Sequence, residues 1–211
     1  MREGEPAAMT GTGGAPLLGG VDLLERAVRY AMGGLDLVTP ATLTWPTPCP
    51  DWDVRALLHH LEDSLAALAE AADLGQVALT PARREQPAAD LVGSLRRHAA
   101  RLVRSWRRRD GPDLVAVAGC PVTATLVVVT GAVEIAVHGW DLAVACDGDH
   151  PLPESLAREL LALVPLFVTA ADRPHRFGPV THEGPDAGAG EFLLAYLGRD
   201  PAWRGRSRWS A

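Results

Sequence analysis

An acid and a histidine stand four residues apart inside an apolar run, Val127-Val-Val-Thr-Gly-Ala-Val-Glu134-Ile-Ala-Val-His138-Gly-Trp140-Asp141. A carboxylate inside an apolar helix is costly unless it is neutralised, paired or bound to a metal. At i and i+4 the two side chains leave the same helix face, so one cation can take an oxygen and a nitrogen together. A third ligand can come from upstream, where His59 and His60 are adjacent. Val54, Leu58, Leu61, Leu65 and Leu68 define the apolar stripe of that segment at helical spacing. His60 falls at the margin of the stripe beside Leu57 and Ser64. His59 falls nearly opposite, with Ala66 and Asp63 around it and Arg55 and Glu62 nearby. His60, Glu134 and His138 therefore make a three-point set with a position left open for water or substrate, the layout of a catalytic rather than a closed structural zinc. Spacing alone also admits a plainer reading: Glu134 paired with an arginine such as Arg55, and His138 hydrogen-bonded to backbone.

Other reactive residue types carry weaker signals. Asp141 lies on the side of His138 and is placed either to orient a ligand or to pair with Arg55. No neighbouring pattern activates Cys49, so it reads as a packed or loosely exposed thiol. Trp45 and Trp52 read as packing residues at the corner between the first two helices. The arginines of the stretch from Arg96 to Arg109 lie opposite Leu95, Leu102 and Trp106, as a solvated face would, with no aromatic residues interleaved for base stacking. His98, His150, His175 and His182 fall in loops or on an exposed face, without metal-ligand spacing.

The elements that must position these groups are helices. The first is expected from about Val21 to Val38. The proline-rich stretch from Thr39 to Pro50 then excludes regular structure. Asp51 is expected to cap a second helix that runs to about Ala72, with Asp53 adding negative charge to its first turn. An amphipathic third helix spans about Ala88 to Arg108. Residues 110–121 form a connector with room for one short strand, Leu114 to Ala118, and no strong hairpin signal. The motif-bearing fourth helix runs from about Val122 to Ala145, a fifth from about Pro153 to Ala171, and a short sixth from about Asp186 to Tyr196. The longest apolar stretch, roughly Val122 to Val137, is short for a membrane span and carries Glu134, so it reads as a buried core helix.

Composition narrows the class. The chain has 211 residues, 47% apolar and 22% charged, which describes a soluble globular protein able to bury a core. A net charge of -6 argues against nucleic-acid binding by bulk electrostatics. Cys49, Cys120 and Cys146 are odd in number and form no C-x-x-C pair, which points to a reducing cytoplasm rather than a disulfide framework. Residues 1–16 read as a loose tail without the apolar core of a signal peptide. All 20 basic residues are arginine, lysine and asparagine are absent, and Ile135 is the single isoleucine, the mark of a GC-rich bacterial genome.

Three segments together carry a resemblance. Thr47-Pro-Cys-Pro-Asp-Trp-Asp-Val-Arg-Ala-Leu-Leu-His-His-Leu61 and Glu134-Ile-Ala-Val-His-Gly-Trp-Asp-Leu-Ala143 resemble the mycothiol-dependent maleylpyruvate isomerase N-terminal-like family, within the DinB-like four-helix-bundle superfamily. Phe192-Leu-Leu-Ala-Tyr-Leu-Gly-Arg-Asp-Pro-Ala-Trp203 is similar to the tail of actinobacterial members known only as metal-binding proteins. The resemblance implies an all-α, DinB-like four-helix bundle with short additional C-terminal helices. It forms a single domain over residues 17–211, irregular from about residue 173. It also implies a divalent metal, zinc foremost, on His60, Glu134 and His138, with mycothiol as cosubstrate and a small electrophile as substrate. The expected function is a metal-dependent transferase or isomerase; the alternative is a non-catalytic metal-binding or ligand-sensing module. The family's isomerases carry a further C-terminal domain that helps bind the thiol, and residues 172–211 show no evident equivalent. The expected partners are the substrate and the thiol, with no nucleic acid, no membrane, and pairing into a homodimer left open. No catalytic residue is assigned.

Overall fold

The computed structural model describes residues 14–77, 91–181, 184 and 186–205. The chain is mainly α. Four long helices dominate: α1 (Gly14–Gly34), α2 (Val54–Leu74), α3 (Leu91–Arg108) and α4 (Ala124–Ala145). Helix α4 packs against α1 and α2, and α3 packs against α2 and α1. Leu24, Leu58, Leu65, Leu95, Ile135 and Leu142 are among the buried side chains of the shared core. Such burial stabilises the fold by roughly 1.5–3 kcal/mol per large aliphatic side chain.

Helix α4 is long and apolar enough to cross a membrane by length and composition, yet most of it is buried inside the protein. Its apolarity on all sides reflects neighbours on all sides. Gly139 marks the closest approach: a Cβ there would stand 2.8 Å from Cα of Ala31 in α1. The two backbones can meet at that depth only without a side chain.

Several boundaries differ from the sequence-based expectation, each for a local reason. Helix α1 begins at Gly14, inside the expected tail, and tightens into a 3-10 turn at Leu35–Leu37; residues 1–13 lie outside the described residues. The expected start of α3 at residues 88–90 also lies outside them. The cap of α2 is Asp53, whose carboxylate accepts from the backbone of Ala56 at 2.8 Å. Asp51, expected there, sits two residues earlier with φ 67°. Helix α4 starts at Ala124, capped by the Thr123 hydroxyl. Helix α5 (Glu154–Leu163) stops well short of Ala171, because Pro165 has no N–H to continue it; two 3-10 turns, Val164–Leu166 and Ala170–Asp172, follow. Helix α6 spans Ala189–Tyr196.

The connector holds more than one strand. β1 (Gln76–Val77) pairs in parallel with β2 (Leu114–Val117), which pairs antiparallel with β3 (Cys120–Thr123). Ala118 and Gly119 turn the hairpin with φ of 49° and 80°. Two-residue hairpin turns of this kind need positive φ at both positions, usually supplied by Asn-Gly or Asp-Gly. Alanine in that role conceals the signal from a reader of the sequence.

Candidate metal centre

The loop before α2 is a folded device. The Thr47 hydroxyl bonds to the carbonyls of Cys49 and Trp52, and the Thr47 N–H bonds to the latter. This tight turn sets Trp52 against His60 of α2, which projects towards α4, and Cys49 against α4 itself. From α4, Glu134 and His138 leave one face, as i and i+4 require.

The three expected ligands meet. Nε2 of His60 lies 2.5 Å from Oε1 of Glu134, and Nε2 of His138 lies 3.4 Å from the same oxygen. The two imidazoles stand edge to face with centroids 4.8 Å apart. One ligand atom from each residue falls within 4.8 Å of the others. The Ser64 hydroxyl, one turn after His60, donates to Oε1 of Glu134 at 3.1 Å. Glu134 is thus held by His60, His138 and Ser64, not by Arg55. His59 is not in this cluster, but it does not face solvent alone: its side chain is 38% exposed against 35% for His60, and its Nδ1 lies 4.0 Å from the buried Glu62.

Behind His138 lies a buried support. Its Nδ1 bonds to Oδ2 of Asp141 at 2.9 Å, which leaves Nε2 for Glu134 and fixes the ring. Asp141 is fully buried and is clamped by Arg199, from Nη2 at 3.0 Å and Nε at 3.4 Å. Its partner is therefore Arg199 and not Arg55, correcting the sequence reading. Arg199 reaches back because Gly198 turns the chain after α6 with φ 77°, against the backbone of Gly178, where a Cβ would clash at 2.6 Å. Nothing in its sequence neighbourhood marks Arg199 as a partner of α4.

Two other residues take unexpected places. Trp52 does more than pack a corner: its ring lies 4.6 Å from His60 and 6.0 Å from His138, centroid to centroid, and narrows access to both. Cys49 has the neighbours that its sequence did not announce, with Sγ 3.3 Å from Oδ2 of Asp141, 3.4 Å from Nη2 of Arg199 and 3.9 Å from Nδ1 of His138. Cys49, His138 and Asp141 form a second set of possible ligand atoms. The Arg199 guanidinium already supplies the positive charge there, so a second cation at that spot would be repelled.

The charge states follow from this arrangement. Desolvation opposes ionisation of Glu134, but hydrogen bonds from His138 and His60, with their charges, outweigh it and hold the carboxyl well below its ordinary range. Burial opposes the charge on His138, and the bonds to Asp141, Cys49 and Glu134 overcome it, raising the imidazole well above its usual value. Asp141 is likewise kept ionised against its burial by Arg199 and His138. The donor set of two imidazole nitrogens and one carboxylate oxygen, with one ring oriented from behind by a carboxylate, fits a divalent cation of the zinc type.

A cavity of about 340 Å³ adjoins the triad. Its walls come from α2, α4 and the sheet, with Leu68, Val77, Val117, Val122 and Leu126 among the apolar residues, and Ser64, Thr130 and Glu134 supply the polar edge.

The remaining histidines are structural or apart. His150 stacks on Tyr30 with centroids 4.5 Å apart and bonds to its carbonyl. His98, expected in a loop or on an exposed face, is mostly covered and stands 3.4 Å from the buried Glu62. His175 is exposed, and His182 lies outside the described residues.

Comparison with known proteins bears on the family and the fold. Residues 24–143 match the family model for the mycothiol maleylpyruvate isomerase N-terminal domain. The fold is similar to the crystal structure of the mycothiol-dependent maleylpyruvate isomerase, with a TM-score of 0.52 and 20% identity, covering 73% of this chain and 71% of that one. A histidine-to-alanine mutant of that enzyme gives the same figures. No curated protein matches the chain.

Proposed function

Since the chain belongs to the mycothiol maleylpyruvate isomerase N-terminal domain family, we propose that it is a divalent-metal protein that uses a low-molecular-weight thiol, mycothiol, on a small electrophile. The reaction is an isomerisation or an S-transfer. The observation that carries this reading is the convergence of His60, Glu134 and His138 beside an open cavity. In the same reading α1 to α4 are a DinB-like four-helix bundle, and the protein works in the cytoplasm.

The residues divide the work. His60, Glu134 and His138 would hold the cation, zinc foremost. A bound divalent cation would lower the pKa of a thiol in its open position and so supply a thiolate nucleophile at neutral pH. Ser64 orients the Glu134 carboxylate. Asp141 holds the His138 ring, and Arg199 keeps Asp141 charged and in place. Trp52 narrows the approach, which restricts water around the donors. A transferase would keep the new carbon–sulfur bond, with a leaving group expelled from that carbon or a proton taken up at its neighbour, whereas an isomerase would add the sulfur to a double bond and expel it after rotation.

The test is metal content by inductively coupled plasma mass spectrometry on protein purified without a metal-affinity tag, beside a His60→Ala, Glu134→Ala, His138→Ala triple variant. The expected result is about one divalent ion per chain, lost in the variant, as coordination by deprotonated donors requires. A wild-type protein that is folded and metal-free overturns the reading. With metal present, failure to bind or consume a thiol with any of a panel of electrophiles leaves the non-catalytic metal module in its place.

A further inference from the structure

The thiol reading leaves the electrophile unnamed, and the cavity beside Glu134 restricts its chemistry. The similar enzyme takes its name from maleylpyruvate, a dicarboxylate. The cavity here is walled by Leu68, Val77, Val117, Val122, Leu126 and Val127, and among the described residues its one ionisable lining group is Glu134, itself an acid. No arginine lines the cavity among the described residues. A cation on the triad would meet one end of a ligand only. Among the described residues a second carboxylate would meet valine and leucine, and burial without a partner costs several kcal/mol.

The sheet builds this wall for a reason that the sequence alone did not show. Val117 lies in register with Val77, and Val122 with the fully buried Val115. The short strands therefore turn a valine face towards α2 and α4. Leu126 stays 39% exposed at the edge. Gly131 leaves the space that Leu68 fills, since a Cβ there would meet the Leu68 side chain at 2.6 Å. A volume of about 340 Å³ with apolar walls and polar groups at one edge is the composition of a small-molecule pocket.

We propose that this cavity binds the apolar body of a neutral electrophile, such as an ester, a ketone or an aromatic ring carrying a leaving group, in preference to a dicarboxylate. The proposal rests on the thiol–metal reading only for the end at which the ligand reacts; the binding itself needs no metal.

The test uses two unreactive probes of opposite character, diethyl succinate and the succinate dianion, titrated by ligand-observed NMR. Each is titrated into the wild type, the wild type stripped of metal with EDTA, and Leu126→Glu. The exposed Leu126 makes the last change tolerable for folding, and Gly131→Ala, which pushes Leu68 into the cavity, serves as a second blocking variant. The expected result is saturable diester binding in the wild type with and without EDTA. Leu126→Glu and Gly131→Ala should each weaken it at least about tenfold, about 1.4 kcal/mol. In the EDTA-treated protein, where no cation holds a carboxylate and Glu134 remains in place, succinate should bind at least about tenfold more weakly than the diester. The proposal is overturned by absence of saturable diester binding, by diester binding indifferent to both blocking variants, or by succinate matching the diester in the EDTA-treated protein. Metal content measured on the same wild-type sample judges the metal reading separately: a metal-free protein that binds the diester sinks that reading alone.

Discussion

Helix α2 carries two acid–histidine clusters on neighbouring faces, and they have different characters. Towards α4, His60 meets Glu134 and His138 beside an open cavity. Towards α3, Glu62 is buried and accepts a hydrogen bond from the Ser94 hydroxyl, with Nδ1 of His98 at 3.4 Å and Nδ1 of His59 at 4.0 Å. The residue types are the same. In the first cluster the nitrogens converge on one carboxylate oxygen and the second nitrogen of His138 is held from behind. In the second, the partners spread over both Glu62 oxygens, and no cavity described above is lined by them. An acid near histidines is therefore a helix-packing device by default; convergence, support and access make it a candidate centre.

The largest effect that would break or confirm this contrast is on metal affinity. Replacing Glu134 by Gln or His138 by Ala should lower zinc affinity by more than the roughly 10–100-fold that loss of a supporting residue costs. Glu62→Gln should leave it unchanged, and isothermal titration with zinc distinguishes the two. Equal losses would erase the distinction between the clusters.

Next comes Arg199→Ala, which strands the buried Asp141 charge and should cost about 3–5 kcal/mol in denaturant unfolding. Asp141→Asn removes both the charge and the orienting acceptor of His138, and should weaken zinc binding by about 10–100-fold. These results would sharpen the comparison, because no buried arginine stands behind Glu62 among the bonds described.

The first cluster also carries its own pH dependence. Asp141 has a lowered folded pKa, so its stabilisation is present above the unfolded value near 3.9 and is lost as the pH falls through the folded value. His138 has a raised folded pKa. Its contribution to the metal-free protein is full below the unfolded value near 6.5 and is lost as the pH rises through the folded one. A cation competes with that proton, so zinc affinity should climb with pH across the neutral range. A flat affinity profile would contradict the role given to His138.

Smaller effects belong to the packing cluster and the surface. Ser94→Ala should cost about 1–3 kcal/mol in unfolding experiments by leaving Glu62 under-satisfied, with zinc affinity intact. Arg26→Ala, which breaks an ion pair with Glu159 that is half exposed on the acid side, should cost no more than about 1 kcal/mol.

Helical periodicity made the long elements legible in the sequence, and His60 could be chosen over His59 because an amphipathic helix assigns each residue a side. What could not be read depended on contacts between distant segments. The sheet needs Gln76 and Val77 to find β2 across α3, and no two-residue strand announces itself. Trp52 and Cys49 reach the site through a turn closed by the Thr47 side chain, a tertiary detail in a stretch whose prolines said only that it was irregular. Glu62 is buried because α3 covers its face, which the pattern of α2 alone does not record.

The Arg199–Asp141 clamp also has a place in time. The two residues are 58 positions apart in the chain. At ribosomal rates of roughly 5–20 residues per second, Asp141 is made about 3–12 seconds before its counter-charge exists. All three candidate ligands have been synthesised by then, but the nascent polypeptide holds an acid that cannot yet be stably buried. Until then His138 is the one partner of Asp141 within α4, so closure of α4 onto its neighbours is weakened by the same few kcal/mol that Arg199→Ala should cost.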